Sequence, residues 1–245
     1  MKADPDAQRR LLDLAAIDTA LAQLAHRTRN LPEHAELQRQ DQRLQALADE
    51  RAKALVEVVD LDRDIARLER DVDQVRQRAA KDQGRLDSGT GGAKDLESLQ
   101  HEIATLGRRQ SELEDAELEL MEQREEAQAA LDKVDTRLAK LREEREATEQ
   151  RRDAALAEIA AEEEQHRADR GPLVASIPAD LVVLYEKIRE QTGLGAAMLR
   201  AGRCEGCHLE LAGSDLAQLR SAAPDEVVRC EECRRILVRT GESGL

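Results

Sequence analysis

Apolar residues recur every three or four positions through most of the first 170 residues, a pattern typical of helices that pack side by side. One run with strict 3,4 spacing extends from Leu37 to Ala79, and a second extends from Leu96 to Leu141. An upstream run from Leu14 to Leu31 follows a different frame. Because proline tolerates a helix start but not a helix interior, we expect a break at Pro32 and then a long helix to about Asp82.

The segment between the two long runs, QGRLDSGTGGAKD, is rich in glycine and predicts a chain reversal near residues 84–93. Sustained heptads on both sides of a reversal indicate an antiparallel coiled-coil hairpin of two long helices. The segment lacks the GK[ST] ending of a phosphate loop, and no strand precedes it. Lys94 at the hairpin tip is a candidate contact for a partner.

The register of this hairpin can be estimated if the numbers of facing residues sum to 178, which places Val72 opposite Leu106. In that register Arg51 faces Ala127 and Gln40 lies opposite an apolar residue. We therefore expect the polar seam residues to extend their heads to water beside small or apolar partners.

The last 75 residues follow a different pattern, because they contain all four cysteines and most of the remaining Pro and Gly. We place a domain boundary near Gly171–Pro172, with a coiled-coil helical hairpin over 1–170 and a linker helix and zinc-ribbon domain over 171–245. A helix is predicted from Pro178 to Gly193. Short strands and a Ser214-capped helix are predicted around the cysteines, the strands over Ala196–Arg203, Glu226–Arg229 and Arg235–Arg239.

The composition argues against most compact globular enzymes, whose cores usually contain aromatic side chains. Here 37% of the residues are charged, Trp and Phe are absent, and Tyr occurs once. The net charge is −14, and the second arm (94–170) is more acidic than the first (1–83). This acidity is typical of a solvated helix face, or it selects basic protein partners. The chain has neither a long apolar run nor an apolar signal core, so we expect a cytoplasmic protein without a membrane span.

The four cysteines form two CxxC pairs, CEGC at 204–207 and CEEC at 230–233. Two residues between cysteines let one tight turn direct both sulfurs at one ion, and Zn²⁺ takes four thiolates tetrahedrally. Two disulfides or a redox pair are the alternatives. A site closed by four cysteines has no open position for substrate, so one structural Zn²⁺ is predicted. The predicted ligands are Cys204, Cys207, Cys230 and Cys233.

Arginines surround these cysteines and are candidate contacts for nucleic acid or a protein partner. Charge screening of a four-thiolate zinc centre is the alternative role, whereas zinc modules also use arginine to contact phosphates. Because no aromatic side chains lie among them, phosphate contacts and shape, rather than base stacking, would have to supply the binding. The candidates are Arg200, Arg203, Arg229, Arg234, Arg235 and Arg239.

The sequence resembles a bacterial family that combines an N-terminal coiled-coil hairpin with a C-terminal four-cysteine zinc ribbon. The resemblance rests on GAKD leading into LQHEI after the reversal, on LED at 113–115, on Ile177–Pro178 with Tyr185, and on CEGCH and CEECRRIL. In flagellated bacteria this family includes chaperone-like partners of the nitrogen-type sigma factor that also bind flagellin message, and a chlamydial relative is tied to type III secretion. The composition, with far more Arg than Lys, resembles that of an actinobacterial member of this family. His208 and Arg234 stand where zinc ribbons often have glycine.

The sequence thus predicts a mainly α protein, a long antiparallel coiled-coil hairpin followed by a small zinc ribbon of short β-strands and short helices. We expect a non-enzymatic adaptor or regulator that binds protein through the coiled coil and RNA or DNA through the ribbon. The alternative is a protein-only scaffold or chaperone with a structural zinc site. The oligomeric state stays open.

Overall fold

The computed structural model describes all 245 residues and contains five α-helices and four short strands. This composition confirms the predicted mainly α fold. The helices are α1 (Pro5–Arg29), α2 (Pro32–Asp87), α3 (Ala93–Ala175), α4 (Ala179–Thr192) and α5 (Gly213–Ser221). The strands are β1 (Ala196–Arg200), β2 (Arg203–Cys204), β3 (Val228–Arg229) and β4 (Ile236–Val238).

The boundaries of the first helices follow from local chemistry. The Asp4 side chain accepts a hydrogen bond from the backbone N–H of Asp6 at 2.8 Å, and Pro5 occupies the first helical position of α1. Helix α1 ends at Arg29 and α2 begins at Pro32, which confirms the predicted break. The reversal occupies residues 88–92, where Gly89 and Gly91 adopt positive φ angles of 63° and 146°. Helix α2 is therefore longer than the sequence suggested.

The chain divides into two compact units. One unit comprises Ala35–Glu149, and the other combines Met1–His34 with Gln150–Leu245. Helix α3 runs without interruption through Gly171 and Pro172, where the composition of the sequence changes. The division of the chain at residue 170 into two domains stays a prediction.

Within the unit 35–149, α2 and α3 form the antiparallel hairpin, but its register differs from the one predicted. Six ion pairs cross between the helices, among them Arg51 with Asp135, Asp62 with Arg124, and Asp41 with Arg145. The residue numbers of these three pairs sum to 186, about one heptad more than 178, and the sums of all six pairs lie between 180 and 190. A shift of seven residues returns every seam position to the seam, so the apolar pattern alone does not distinguish the two registers.

Two polar seam residues of α2, Gln40 and Arg51, bond to polar side chains of α3. The Gln40 amide donates to the Thr148 hydroxyl at 3.1 Å, and both side chains are buried. Arg51 pairs with Asp135 and not with Ala127. The prediction that the polar seam residues extend their heads to water was wrong for buried Gln40, whereas Arg51, with 43% of its side chain exposed, does so and pairs there with Asp135.

The other unit contains the sheet, whose strand order is β2-β1-β4-β3. Strands β1 and β4 are parallel, and the two outer pairs are antiparallel. Helices α1 and α4 cover the sheet with an apolar core in which Leu11, Leu14, Leu181 and Tyr185 are fully buried. The first residues of the chain add to this unit, because Ala3 donates its backbone N–H to the Asp225 carbonyl at 2.7 Å.

Three local expectations need correction here. The strands are shorter than predicted, because the residues next to the cysteines form tight turns. The predicted strand over Ala196–Arg203 is interrupted by a turn at Ala201 and Gly202, both with positive φ. Helix α5 begins at Gly213 after Ala212 and has no side-chain cap, since the Ser214 hydroxyl donates to Asp215 instead.

Candidate metal centre

The two CxxC segments form two equivalent turns, which we call the first knuckle (204–209) and the second knuckle (230–235). In the first, the His208 N–H donates to the Cys204 carbonyl at 2.7 Å. In the second, the Arg234 N–H donates to the Cys230 carbonyl at 2.9 Å. Each knuckle also closes a second backbone bond from its first cysteine to the residue five positions later. The Cys204 N–H donates to the Leu209 carbonyl at 3.0 Å, and the Cys230 N–H donates to the Arg235 carbonyl at 2.9 Å. Both knuckles therefore direct their sulfurs with the same backbone geometry.

The four sulfurs converge and fit a tetrahedral metal ion. All four Sγ atoms lie within 4.8 Å of one another. The Sγ atoms of Cys204 and Cys233 are 3.8 Å apart, and those of Cys207 and Cys230 are 3.9 Å apart. A tetrahedron of thiolates at a Zn–S distance of about 2.3 Å has edges of about 3.8 Å. The residues thus fit one Zn²⁺, and the predicted structural zinc site is confirmed.

The surroundings of the sulfurs combine burial with hydrogen-bond donors. Burial raises the pKa of the Cys204 thiol to about 12, although the Cys207 and Gly206 N–H groups act in the opposite direction. Burial also raises the pKa of Cys230. At Cys233 burial is outweighed by hydrogen bonds, first that of the Arg235 N–H, and the pKa is lowered. Zinc binding must therefore release protons from Cys204 and Cys230 at neutral pH.

Both knuckles turn through the left-handed backbone region immediately after their second cysteine. His208 has a φ of 61° and Arg234 a φ of 65°, at the two positions where zinc ribbons often have glycine. A side chain in this region costs about 1 kcal/mol relative to glycine. The departure from glycine noted in the sequence therefore leaves the turn geometry intact but adds strain.

The candidate arginines fall into two groups, and four of the six are exposed. Arg200 pairs with Glu242 at 3.1 Å, and Arg203 pairs with Glu210 at 3.4 Å. Arg229 and Arg234 lie side by side at the second knuckle, where the Arg229 Nε donates to the Arg234 carbonyl at 3.1 Å. These last two guanidinium groups take part in no ion pair.

Arg235 and Arg239 are engaged within the fold. The Arg235 guanidinium donates to the carbonyls of Thr192, Leu194 and Gly206, which ties α4 to the first knuckle. The Arg239 guanidinium donates to five carbonyls between Leu219 and Glu226 and so satisfies the end of α5. Contact with a ligand through these two residues would require breaking such bonds.

Lys94 lies in the first turn of α3 at the hairpin tip and is exposed. It is in the unit 35–149, whereas the arginines and the cysteines are in the other unit. A contact of Lys94 with a partner stays a prediction.

A buried polar network joins α1, α3 and α4 and was not predicted from the sequence. The Asp18 carboxylate, with 2% of its side chain exposed, accepts from the Tyr185 hydroxyl and the Arg170 Nε, each at 2.8 Å. Arg170 also bonds to Glu186, which in turn pairs with Arg189. Burial and the Asp18 hydrogen bond raise the pKa of Tyr185, and the bond to Asp18 raises that of Arg170. The only signal in the sequence was an isolated aspartate on the apolar face of α1.

Two family models match this chain and together cover most of it. Residues 14–193 match the model described as a CT398-like coiled coil hairpin domain. Residues 203–237 match a C4-type zinc ribbon domain, which includes both knuckles. Both descriptions are those of structural or binding modules and indicate no catalytic family. None of the helices combines the length and apolar content needed to span a bilayer.

Similar proteins are found in mycobacteria and, more distantly, in Chlamydia. A Mycobacterium tuberculosis protein (strain H37Rv) is 43% identical over 239 residues, covering 98% of each chain. A solved Mycobacterium smegmatis structure is 40% identical, with a TM-score of 0.88 over 98% of this chain and 100% of the other. The structure of CT398 from Chlamydia trachomatis has a TM-score of 0.67 at 18% identity, covering 96% and 98% of the two chains, and shares the fold.

Proposed function

This chain belongs to the family of CT398-like coiled-coil hairpin proteins, and from that premise we propose that it is a non-enzymatic adaptor in the cytoplasm. In this proposal the hairpin binds a protein, and the zinc ribbon binds RNA or DNA. The zinc ion is structural, since four thiolates fill its coordination and leave no position for a substrate.

The observation that supports nucleic-acid binding is the pair of exposed guanidinium groups on Arg229 and Arg234. The Arg229 Nε lies 3.1 Å from the Arg234 carbonyl at the second knuckle, and neither guanidinium group has a carboxylate partner. Two adjacent cations on a rigid turn fit the phosphates of a nucleic-acid backbone, which fix position rather than read sequence. Arg200 and Arg203 are weaker candidates because each already has a carboxylate partner.

The test is fluorescence anisotropy of the zinc-loaded full chain with a labelled single-stranded RNA and a labelled DNA duplex across a salt series. The variant Arg229→Ala/Arg234→Ala should bind more weakly and lose about one unit of the logarithmic salt slope per arginine. The control Arg63→Ala/Arg67→Ala removes the same charge from exposed positions on α2. Equal weakening by both double variants would show that only net charge matters and would overturn the assignment.

A protein-only scaffold or chaperone is the second candidate. It is favoured by the ion pairs that occupy Arg200 and Arg203 and by the acidity of residues 94–170, which repels nucleic acid. Capture of the tagged protein from native lysate, with one half of the sample treated with nuclease, separates the two candidates. Partners that vanish with nuclease support the adaptor, whereas partners that persist support the scaffold.

A further inference from the structure

A second line of apolar residues follows α2 outside the seam with α3. Its members share one heptad frame, with spacings of four, three, four and seven residues. Within the last spacing, the frame position three residues after Val59 is occupied by Asp62 instead of an apolar residue. The seam with α3 uses a different frame that includes Leu47, Ala54, Val58 and Leu61. The members of this second line are Ala48, Ala52, Leu55, Val59 and Ala66.

The larger residues of the second line are open to solvent. Leu55 is 39% exposed and Val59 is 45% exposed, whereas the adjacent seam residue Val58 is 5% exposed. The face of a coiled-coil helix that points to water is ordinarily polar. An apolar frame with heptad spacing is instead the pattern of a helix that packs against a further helix.

Contacts within the hairpin locate the second line beside α3. Asp62, which shares its frame, pairs with Arg124 of α3 at 3.0 Å. Met121 precedes Arg124 by one helical turn, lies on the same face of α3, and is 44% exposed. The second line and Met121 therefore border the same side of the hairpin.

The charge beside this surface indicates what would occupy it. Residues 112–126 of α3 contain eight carboxylates and a single arginine, Arg124. Glu117 and Glu125 lie one turn to either side of Met121 and take part in no ion pair. A second copy of this chain would place its own acidic segment near this one, and like charges there oppose association. A helix with basic flanks would be attracted.

We propose that the second line, with Met121 and its flanking carboxylates, binds an amphipathic helix of a partner protein. That helix has a heptad stripe of apolar residues bordered by Lys or Arg, and it packs against the hairpin as a third helix. The inference rests on the proposed function and identifies the surface through which the hairpin binds protein.

The test uses two synthetic peptides of about four heptads with Ile at a and Leu at d, one with Lys and one with Glu at e and g. Fluorescence anisotropy with the full chain should show saturable binding of the Lys peptide and roughly tenfold weaker binding of the Glu peptide. Leu55→Glu/Val59→Glu should weaken binding of the Lys peptide by roughly tenfold or more. The control Val183→Glu alters a valine that is 69% exposed on α4 and should leave binding unchanged.

Several results would overturn this proposal. Absence of saturable binding is one, and equal binding to the wild type and to Leu55→Glu/Val59→Glu is another, since it would reveal charge attraction alone. Light scattering that shows a wild-type dimer and a monomeric double variant would assign the surface to a second copy. Far-UV circular dichroism verifies that the variant stays folded. The nucleic-acid test changes only Arg229 and Arg234, so failure of either test leaves the other result readable.

Discussion

The hairpin of residues 35–149 and the unit that carries the zinc ribbon are stabilised in opposite ways. The hairpin repeats one contact type, small clusters of Leu, Val and Ala such as that of Leu47 with Leu138, and flanks them with exposed ion pairs. The ribbon unit depends on contacts that occur once, such as the four thiols and the Tyr185–Asp18 bond. Repetition makes the hairpin tolerant of single changes, whereas unique contacts make the ribbon unit sensitive to them.

The largest difference between the two regions should follow from loss of the metal. Cys204→Ser removes one of four thiolates, and structural zinc contributes about 10 kcal/mol or more to folding in small zinc modules. We expect the variant to lose zinc and to unfold the ribbon while the hairpin keeps its helices. Metal analysis and far-UV circular dichroism measure the two effects.

Chelation of zinc from the wild type is the matched control for Cys204→Ser and should give the same spectrum. Most of the helical residues lie in α2 and α3, so only a small part of the helical signal should be lost. A large loss would show that the hairpin depends on the ribbon and would remove the contrast between them.

Glycine-to-alanine changes should have opposite signs in the two regions. A Cβ at Gly195 would lie 2.5 Å from both the Tyr185 carbonyl oxygen and its ring, so Gly195→Ala should destabilise the ribbon unit by about 2 kcal/mol. A Cβ at Gly107, in the interior of α3, would meet nothing within 4 Å. Gly107→Ala should therefore stabilise the hairpin by about 1 kcal/mol. Urea unfolding followed by circular dichroism and by Tyr185 fluorescence tests both signs, and equal signs would contradict the comparison.

The Tyr185 hydroxyl should contribute a pH-dependent part of the stability of the ribbon unit. Tyr185→Phe removes a buried hydrogen bond to Asp18 and should cost about 1–2 kcal/mol. Because burial and Asp18 raise the folded pKa above the ordinary 10.0, this stability is complete below pH 10.0 and is lost as pH rises toward the folded pKa. The difference between wild type and Phe variant should therefore shrink above pH 10.0.

Tyr185 is the only aromatic residue, so near-ultraviolet absorbance of tyrosinate reports its ionisation directly. The folded protein should ionise at a higher pH than the same chain in denaturant. Ionisation at the same pH in both states would show that Tyr185 is neither buried nor bonded to Asp18.

What the sequence predicts well is set by whether a signal is local. The break at Pro32, the reversal near Gly89 and the CxxC knuckles each depend on a few neighbouring residues, and all are present. The Asp18–Arg170 bond joins residues far apart in the chain, so no local pattern indicates it. The arginines near the zinc site are equally hard to predict, because only packing distinguishes Arg239, half-buried and bonded to five carbonyls, from Arg229, exposed and bonded to one.

The smallest expected effect tests the hairpin register, which the apolar pattern cannot determine. Arg51 and Asp135 face each other with 43% of each side chain exposed, so a double-mutant cycle with alanine should give a coupling of only about 0.5 kcal/mol. A parallel cycle of Arg51 with Glu126, its neighbour in the register that sums to 178, should give none. The first coupling should also decline at high salt, as expected for half-exposed charges. Coupling to Glu126 instead of Asp135 would contradict the observed register, because Glu126 adjoins Ala127, the residue that lies opposite Arg51 when the numbers of facing residues sum to 178.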